Sequence, residues 1–431
     1  MLSSVRITVP AEDSASISKS TAESKMPRSG GAAILMQQSS KIMVLFGNRD
    51  FEAMMRLPVK PVFSEEICSF LNTLSGEIMR SREARRFPDV ITFGFFCRKA
   101  NITQLKEQYY EEGRIGRGLS LHIAPSNVPI NFAYTMVAGL LAGNPCIVRA
   151  SSKRFEQISL LCDLMEKVAC DSIAAEYISV VQYGREKEIN DYLSAMSDVR
   201  AIWGGDNTIN EIRKSTLPTR AVEVCFADRY SLCVLEAKDV LKMTDRERIA
   251  QDFYNDTYLY DQNACSSPRL MYWLGNEEDI AKAKKVFWNS IHDFIAKKYT
   301  IEPVIAVDKL TMSYRAAMDI EGVKLEEDCD NLFSRISIPD LDMNLSDYVC
   351  PGGSYLEYSS ETLDELCKAV NKKFQTLSYL GGDPAEYQKF VIDNGLPGID
   401  RIVPMGKTAD FSLTWDGYNL ISIMSRKVES Y

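Results

Sequence analysis

Short apolar runs alternate with stretches of helically spaced apolar residues along the middle of the chain. The runs predict strands at residues 120–123, 146–148, 178–181, 199–203 and 221–225, and the spacing predicts helices at 130–141, 155–168, 186–195 and 208–214. Strands and helices that alternate with short connections form a doubly wound, mainly parallel sheet. Such sheets bind ligands at the carboxyl edge of their strands, here at the turns APSNVP, RASSKR and WGGDNT.

The pattern on either side of this region is less regular. Residues 1–30 are rich in Ser, Thr, Ala, Lys and Glu without any period, so we expect a loosely ordered leader. The Gly-spaced residues 113–118 are expected to form a hairpin or a linker. The other predicted strands lie within 32–46 and at 270–274, 332–338, 354–358 and 377–380, and the other predicted helices lie at 64–79, 101–110 (with Asn101 as the cap), 244–258, 277–297, 361–373 and 385–394.

Composition narrows the class of protein. The chain has 431 residues, of which 45% are hydrophobic and 25% charged, as expected for two or three soluble domains. A net charge of −9 without a basic patch argues against a nucleic-acid partner. No apolar run reaches the roughly 18 residues of a membrane span, and the first residues lack the apolar core of a secretory signal. Eleven scattered cysteines without C-x-x-C spacing predict neither a disulfide framework nor a metal site, so we expect a reduced, cytoplasmic protein.

The two histidines limit the possible chemistry. A Ser-His-Asp triad, a His-rich metal site or a Cys-His protease would have to use His122 or His292. His122 lies in a strand-like run and His292 in a helical pattern among apolar residues, so packing is the simpler interpretation of both.

The segment LYDQNACSSPRLMY, residues 259–272, holds the main chemical candidate. Cys265 follows polar, turn-forming residues and precedes the apolar run 270–274. A catalytic nucleophile needs an accessible bend before a strand, where backbone N–H groups can face a reacting carbonyl. The Cys265 thiol has this placement. A plain free thiol is the alternative, and the segment alone does not decide between them.

Two turns at the predicted sheet edge are candidates for phosphate binding, although the chain has neither G-x-G-x-x-G nor a P-loop motif. Gly204 and Gly205 allow a close backbone approach before a helix. The RASSKR turn places Arg149, Lys153 and Arg154 beside two hydroxyls and no nearby carboxylate, which favours the 2′-phosphate of NADPH over NADH. A solvated helix start with serine caps is the alternative.

Several segments together resemble the aldehyde dehydrogenase superfamily, and more closely the long-chain acyl-CoA reductase family of bacterial bioluminescence (LuxC-type). They are HIAPSNVPINFAYTMVAGLLAGNPCIVRASS, AIWGGDNT, EVCFADRYS, YDQNACSSPR and GIDRIVPMG with WDGYNLI, over roughly residues 115–425. The resemblance implies an aldehyde-dehydrogenase-like α/β fold. Its expected parts are an NADP-binding Rossmann-like domain (31–235), a catalytic α/β domain (236–405), a C-terminal segment that returns to the first domain (406–431) and a small β oligomerisation element.

The resemblance also implies roles for individual residues. Cys265 matches the family's nucleophile, and Asn127 matches the side chain that stabilises the oxyanion together with the Cys265 N–H. The residues that match or adjoin the cofactor-binding positions are Ser126, Arg149, Ser151, Ser152, Lys153, Trp203, Gly204, Gly205 and Phe333.

Two positions depart from the family's pattern. Glu223 lies near the Glu that activates water in hydrolytic members and is kept as a catalytic candidate, but no Gly-Gly follows it. Asn331 replaces the Glu expected two residues before Phe333. The first departure fits chemistry in which a thiol, and not water, takes or delivers the acyl group.

Together these observations predict NADPH-dependent reduction of an acyl thioester, such as a fatty acyl-CoA, to an aldehyde through a thioacyl intermediate on Cys265. A Cys-dependent acyltransferase or thioesterase without a hydride step, and a non-catalytic acyl-carrier or scaffold subunit, are the alternatives. The expected partners are acyl-CoA or a carrier-bound acyl thioester, an acyl-protein synthetase, and further copies of the chain that associate through a hairpin based at 113–118.

Overall fold

Two largely parallel β-sheets form the framework of the protein. The structure is a computed structural model that describes residues 41–170, 172–326 and 330–430. The predicted leader and the start of the predicted strands at 32–46 lie outside the described residues. The strands are, in chain order, β1 Met43–Gly47, β2 Arg114–Gly116, β3 Ser120–Ile123, β4 Cys146–Arg149, β5 Ile178–Gln182, β6 Val199–Trp203, β7 Val222–Phe226, β8 Tyr230–Glu236, β9 Pro268–Leu274, β10 Lys324–Leu325, β11 Ser334–Ser337, β12 Ser354–Ser360, β13 Phe374–Leu380, β14 Arg401–Pro404, β15 Thr414–Trp415, β16 Tyr418–Asn419 and β17 Ser425–Lys427.

Helices connect most of these strands. In chain order they are α1 Phe51–Met55, α2 Glu65–Arg80, α3 Pro88–Phe96, α4 Lys99–Tyr109, α5 Asn131–Leu141, α6 Glu156–Ala169, α7 Ala174–Tyr177, α8 Lys187–Ala195, α9 Asp206–Ile212, α10 Ala237–Lys242, α11 Arg246–Asp256, α12 Glu277–Lys298, α13 Pro303–Asp319, α14 Leu366–Ala369, α15 Pro384–Asp393 and α16 Leu420–Met424, with 3₁₀ turns at Ala84–Arg86, Tyr258–Tyr260 and Leu345–Asp347.

The first sheet has the strand order β1-β5-β4-β3-β6-β7, with β3–β7 parallel and β1 antiparallel at the edge. Alternate residues of its central strands enter separate cores on the two faces: Leu121 and Ile147 lie in one core, Val148 and Ala201 in the other. Burial on both faces is why these strands read as unbroken apolar runs. The predicted doubly wound parallel sheet is confirmed.

The second sheet has the order β10-β11-β12-β9-β8-β13-β14 and is parallel except for β10. Helix α12 covers one face with Phe287, Trp288 and Ile291. Its start is well specified, because the Asn276 side chain accepts the backbone N–H of Asp279 and three acidic residues occupy the first turn.

The last residues run back to the first sheet's half of the chain. Strand β17 pairs antiparallel with β2, and Leu420, Ile421 and Met424 of α16 enter the same core as α5. The ribbon β2–β17 lies at the Gly-spaced segment for which a hairpin or linker was expected.

Several predicted boundaries are wrong. The helix predicted at 361–373 shrinks to α14, and β8, α3 and α13 have no predicted counterpart. Helix α4 begins at Lys99, so Asn101 is not its cap; the Asn101 amide instead donates to the carbonyl of Phe96 at 2.7 Å. The chain passes from the first sheet to the second between Phe226 and Tyr230, and the division of the chain into domains at residue 235 stays a prediction.

Candidate active site

A cavity of about 920 Å³ lies where loops from the two sheets meet. The first sheet contributes the turns after β3, β6 and β7, which follow the carboxyl ends of parallel strands. The second sheet contributes the loop before β9, which carries Cys265. The structure therefore brings five of the predicted site residues to one cavity: Asn127, Trp203, Gly204, Gly205 and Cys265.

The loop that carries Cys265 is held in a strained backbone conformation. Asp261 and Gln262 both have positive φ, at 50° and 57°, a state that costs a non-glycine residue about 1–3 kcal/mol. The buried Gln262 amide compensates, because it donates to the carbonyls of Pro268 (2.9 Å) and Ser354 (3.0 Å) and accepts the N–H groups of Gly353 and Ser354 (both 2.9 Å). Sequence reasoning treated Gln262 only as a turn residue.

Cys265 is half-buried at the cavity wall. Burial raises the pKa of the thiol to about 11, the Asp416 carboxylate adds to this, and the Gln375 amide and the Arg229 guanidinium act in the opposite direction. Gln375 Nε2 lies 3.3 Å from the sulfur, and the Ser231 hydroxyl donates to the Cys265 carbonyl at 2.7 Å. In the resting protein the group at the cavity wall is therefore a neutral thiol at neutral pH.

Asn127 lies beside the Cys265 loop. Its Nδ2 atom donates to the carbonyl of Asn263 at 3.2 Å, which leaves the second N–H of the amide for another acceptor. Among the described residues the Cys265 N–H donates to no backbone carbonyl. The arrangement supplies two N–H donors at the loop that carries the Cys265 thiol, as stabilisation of an oxyanion requires.

Two further donors at the cavity wall have no hydrogen-bond partner among the described residues. They are the Tyr230 hydroxyl and the Trp415 indole N–H, and both side chains are more than nine-tenths buried. Buried donors without a partner carry a desolvation cost, and a polar group of a bound ligand would remove it.

The structure does not bring Glu223 to this cavity. The Glu223 carboxylate accepts from Arg200 Nε at 2.8 Å and from Arg213 Nε at 2.7 Å. Residues alternate in direction along β7, so Phe226 lines the cavity while Glu223 lies on the opposite face. Burial acts to raise the pKa of Glu223, but the two arginines outweigh it and lower the pKa.

Phe333 does not line the cavity either. It is buried in the second sheet's core, with its ring centroid 5.1 Å from that of Trp288 and 5.8 Å from that of His292. His292 also bonds to Asp330 at 2.8 Å. Neither Phe333 nor His292 contributes a group to the cavity that holds Cys265.

Arg149, at the end of β4, is bound to the neighbouring strand end. Its Nη2 atom donates to the carbonyls of Tyr183 (3.2 Å) and Gly184 (2.7 Å), and its guanidinium lies 4.6 Å from the Tyr183 ring centroid. These contacts fix the carboxyl ends of β4 and β5 relative to each other.

The serines after β4 do not cap a helix. Helix α6 begins at Glu156 and its N-cap residue Phe155 has no side-chain cap bond. Ser151 is buried, donates to the carbonyl of Ser126 at 3.5 Å and accepts the Lys153 N–H at 3.1 Å. Ser152, Lys153 and Arg154 are exposed, and in the described part of the chain no carboxylate pairs with either cation.

The Gly204–Gly205 turn faces the cavity, but the helix after it already has an anion at its start. The Asp228 carboxylate accepts the Asp206 N–H at 3.2 Å, and a Cβ on Gly205 would lie 2.7 Å from Asp228 Oδ2. A nicotinamide dinucleotide would fit at this edge of the sheet, which is formed by the carboxyl ends of β3, β4 and β6. The edge offers the Gly204–Gly205 turn and the exposed cations Lys153 and Arg154. A pyrophosphate at the start of α9 would meet the Asp228 charge.

Asp256 fixes a second part of the cavity wall. It is buried and accepts the N–H groups of Gly406 (2.7 Å) and Thr408 (3.0 Å), and Gly406 and Lys407 line the cavity. Burial raises the pKa of Asp256 to about 7.

No helix in the described residues is long and apolar enough to cross a bilayer.

Comparison with known proteins gives three kinds of match. A model of the acyl-CoA reductase (LuxC) family matches residues 35–309. Long-chain acyl-protein thioester reductase of Aliivibrio fischeri is 27% identical over 163 residues, covering 37% of this chain and 33% of its own length. The Vibrio harveyi protein of the same description is 24% identical over 319 residues, covering 70% of this chain and 63% of its own. The matched segments therefore span about one third of the length of the Aliivibrio fischeri protein and less than two thirds of the length of the Vibrio harveyi protein.

Among solved structures, lactaldehyde dehydrogenase from Escherichia coli is 12% identical with a TM-score of 0.60, covering 86% of this chain and 87% of its own. Aldehyde dehydrogenase 21 from Physcomitrella patens, in complex with the reaction product succinate, is 12% identical with a TM-score of 0.61, covering 87% and 86%. These likenesses concern the fold, and the predicted aldehyde-dehydrogenase-like fold is confirmed.

Proposed function

Because this chain belongs to the acyl-CoA reductase (LuxC) family, we propose that it reduces an acyl thioester to an aldehyde, with NADPH as reductant and Cys265 as nucleophile. The observation that carries the proposal is the shared cavity, which is lined by half-buried Cys265, by Asn127, whose amide donates to the Cys265 loop, and by the Gly204–Gly205 turn. A nucleophile, an oxyanion donor and a dinucleotide edge together are what such a reduction needs.

The steps follow from the groups present. Cys265 loses its proton, and its sulfur attacks the thioester carbonyl to form a tetrahedral oxyanion. The Asn127 amide and the Cys265 N–H stabilise this oxyanion, which collapses as the donor thiolate leaves and takes up a proton. When bound, the reduced nicotinamide supplies the hydride that brings the acyl carbon to the aldehyde level. The Cys265 sulfur is then the leaving group as the aldehyde forms, and the same two donors hold the oxygen until the carbonyl is restored.

The position of Glu223 supports transfer to a thiol over hydrolysis. Its carboxylate is bound to two arginines on the far face of β7 and does not line the cavity, so it is not available to activate water at a thioacyl group. Without that base, a thioacyl group on Cys265 can persist until it is reduced.

Preference for NADPH is supported by the turn after β4. Ser152, Lys153 and Arg154 are exposed there, and no carboxylate among the described residues pairs with the two cations. A 2′-phosphate gains charge-assisted hydrogen bonds from such a group, whereas the 2′-hydroxyl of NADH favours a carboxylate at this position.

The remaining predictions belong to the same proposal. The acyl donor is acyl-CoA or a carrier-bound thioester delivered by an acyl-protein synthetase, and the named relatives are described as acyl-protein thioester reductases. The protein is proposed to act in the cytoplasm as a homo-oligomer. Its proposed division is a nucleotide-binding domain (31–235), a catalytic domain (236–405) and a returning C-terminal segment (406–431).

The test is the intact mass of the protein after mixing with tetradecanoyl-CoA, followed by peptide mapping. We expect one acyl adduct on Cys265 that disappears on addition of NADPH, with release of tetradecanal. Cys265→Ala should form no adduct, whereas Cys68→Ala, which removes another half-buried thiol, should behave as the parent. An adduct that neither NADPH nor NADH removes would favour an acyltransferase or thioesterase. Release of the acyl group as the free acid would favour the thioesterase. A protein that forms no adduct with CoA or carrier thioesters would fit a scaffold.

A further inference from the structure

Gln375 is the second residue of β13, and its side chain is fully buried next to the Cys265 loop. A buried amide must satisfy two donors and an acceptor or lose stability. Gln375 meets this need with contacts that end at the reactive sulfur.

The amide of Gln375 is fixed at both ends. Nε2 donates to Asp416 Oδ1 at 2.5 Å and to the Cys265 sulfur at 3.3 Å, and Oε1 accepts from the Thr376 hydroxyl at 3.3 Å. The Asp416 carboxylate can only accept, so the nitrogen end of the amide must face it. The same nitrogen then presents its other N–H to the sulfur.

Asp416 is itself held by the local backbone. It occupies the two-residue turn of the hairpin β15–β16 with φ 49°, followed by Gly417 with φ 75°. Asp-Gly with positive φ at both positions is the favoured composition of such a turn. Arg229 Nη1 lies 3.8 Å from Asp416 Oδ2, while Arg229 Nη2 donates to the Phe374 carbonyl at 2.6 Å.

We propose that Gln375 is a catalytic residue that donates a hydrogen bond to the Cys265 sulfur when the sulfur carries negative charge, and that Asp416 is a positioning residue that orients the Gln375 amide. This inference rests on the proposed function and deepens it. The bond acts twice, once when the thiol loses its proton before attack and again when the sulfur leaves as the aldehyde forms. Gln375 exchanges no atoms in either step.

The two residues have opposite electrostatic effects on the thiolate. The Gln375 N–H stabilises negative charge on the sulfur, whereas the Asp416 charge opposes it. Loss of the Gln375 donor and loss of the Asp416 charge should therefore change the reactivity of Cys265 in opposite directions. A purely structural role would give the same direction for both, since either variant would only loosen the packing.

The experiment measures the rate at which iodoacetamide modifies Cys265, followed by peptide mass mapping across about pH 6 to 10. No acyl donor or cofactor is present, so the result does not depend on the proposed reaction. In Gln375→Met we expect modification to be about three- to tenfold slower at a given pH below the thiol pKa, because a higher pKa removes thiolate but makes it somewhat more nucleophilic.

In Asp416→Asn we expect faster modification, because the remaining Oδ1 still accepts from Gln375 while the charge is gone. The matched control is Ser378→Ala, which removes a buried hydroxyl of the same strand that donates to the Leu232 carbonyl at 3.2 Å, and it should leave the profile unchanged.

Slower modification of Gln375→Met together with faster modification of Asp416→Asn supports the proposal. An unchanged profile in a folded Gln375→Met protein, or a slower rate in both variants, overturns it. If Gln375→Met does not fold, a rate for Asp416→Asn that is not faster than the parent rate overturns it. If the shifts occur but acyl-CoA never labels Cys265, the proposed function fails, while the hydrogen bond from Gln375 to the charged sulfur stands.

Discussion

The side-chain amide of Asn127 donates to the backbone carbonyl of Asn263, with the two atoms 3.2 Å apart. Asn127 follows the carboxyl end of β3 in the first sheet, and Asn263 lies two residues before Cys265 in the second. One hydrogen bond thus joins the proposed oxyanion donor of one sheet to the loop of the other that carries the proposed nucleophile. This bond orients the Asn127 amide relative to the loop of Cys265.

Replacing Asn127 tests this alignment. Asn127→Ala is expected to slow acyl transfer to Cys265 by about 10²–10³-fold, the usual effect of removing one oxyanion donor. Single-turnover mass spectrometry at saturating acyl-CoA measures the rate. Asn131→Ala is the control, since Asn131 lines the same cavity and its Oδ1 has no hydrogen-bond partner among the described residues. Equal effects of both variants would argue against a specific role of Asn127.

Replacing Glu223 separates stability from chemistry. Glu223→Gln leaves the Arg200 guanidinium, 3% exposed, without its counter-charge. Because one partner of a largely buried ion pair is lost, we expect about 2–4 kcal/mol less stability in urea denaturation. Labelling of Cys265 by acyl-CoA at a temperature where the variant is folded should remain. Unchanged stability with lost labelling would return Glu223 to the catalytic residues.

The exposed turn after β4 is expected to set the choice of cofactor. Ser152→Glu places a carboxylate beside Lys153, which should repel a 2′-phosphate and accept a 2′-hydroxyl. We expect the ratio of kcat/KM for NADPH to that for NADH to fall by about tenfold or more, as a change of 1.4 kcal/mol requires. Lys187→Gln, at an exposed lysine paired with Asp191, also lowers the net charge by one and is the charge-matched control. A ratio that stays constant would place the 2′-group elsewhere.

Asp256 is expected to make stability depend on pH with an unusual sign. Its folded pKa of about 7 lies above the unfolded value near 4, so the folded state holds the proton more tightly and ionisation of Asp256 costs stability as pH rises. Between about pH 5 and 7 this site should lose about 2 kcal/mol. Urea denaturation of the parent and of Asp256→Asn at both pH values isolates the effect. The variant should gain relative to the parent over that interval; a constant difference would contradict the raised pKa.

The apolar patterns were enough to predict the first sheet and the strand edge at which the cavity lies. Strands β3 to β7 are short apolar runs between helices, and the turns that hold Asn127 and Gly204 follow from that order alone. Strand β8 was not predicted, although its residues 232–235 form an apolar run buried on both faces like the predicted strands of the first sheet. Helix α13 was missed since apolar residues also lie on its exposed face, for example Val304, Val307 and Met318, which blurs the helical period.

The parts of the site that sequence reasoning missed depend on contacts between distant residues. Gln375 lies 110 positions from Cys265 and 41 from Asp416, so no local sequence pattern could predict that the three residues meet. The WDG segment did indicate that Asp416 lies in a turn. The direction of Glu223 depends on Arg200, 23 positions away. A strand can be predicted from its composition, but which of its faces meets the cavity is decided by such partners.

The return of the C-terminal segment has a consequence for biosynthesis. Asp416 orients the Gln375 amide beside Cys265, and β2 pairs with β17 in addition to its bridge to Pro61, so a nascent chain that has emerged through Cys265 still lacks Asp416 and β17. Until those residues leave the ribosome, the thiol has no oriented amide beside it and β2 has an open edge that invites chaperone binding. The hydrogen bonds around the Cys265 sulfur are thereby completed only when the C-terminal segment has docked.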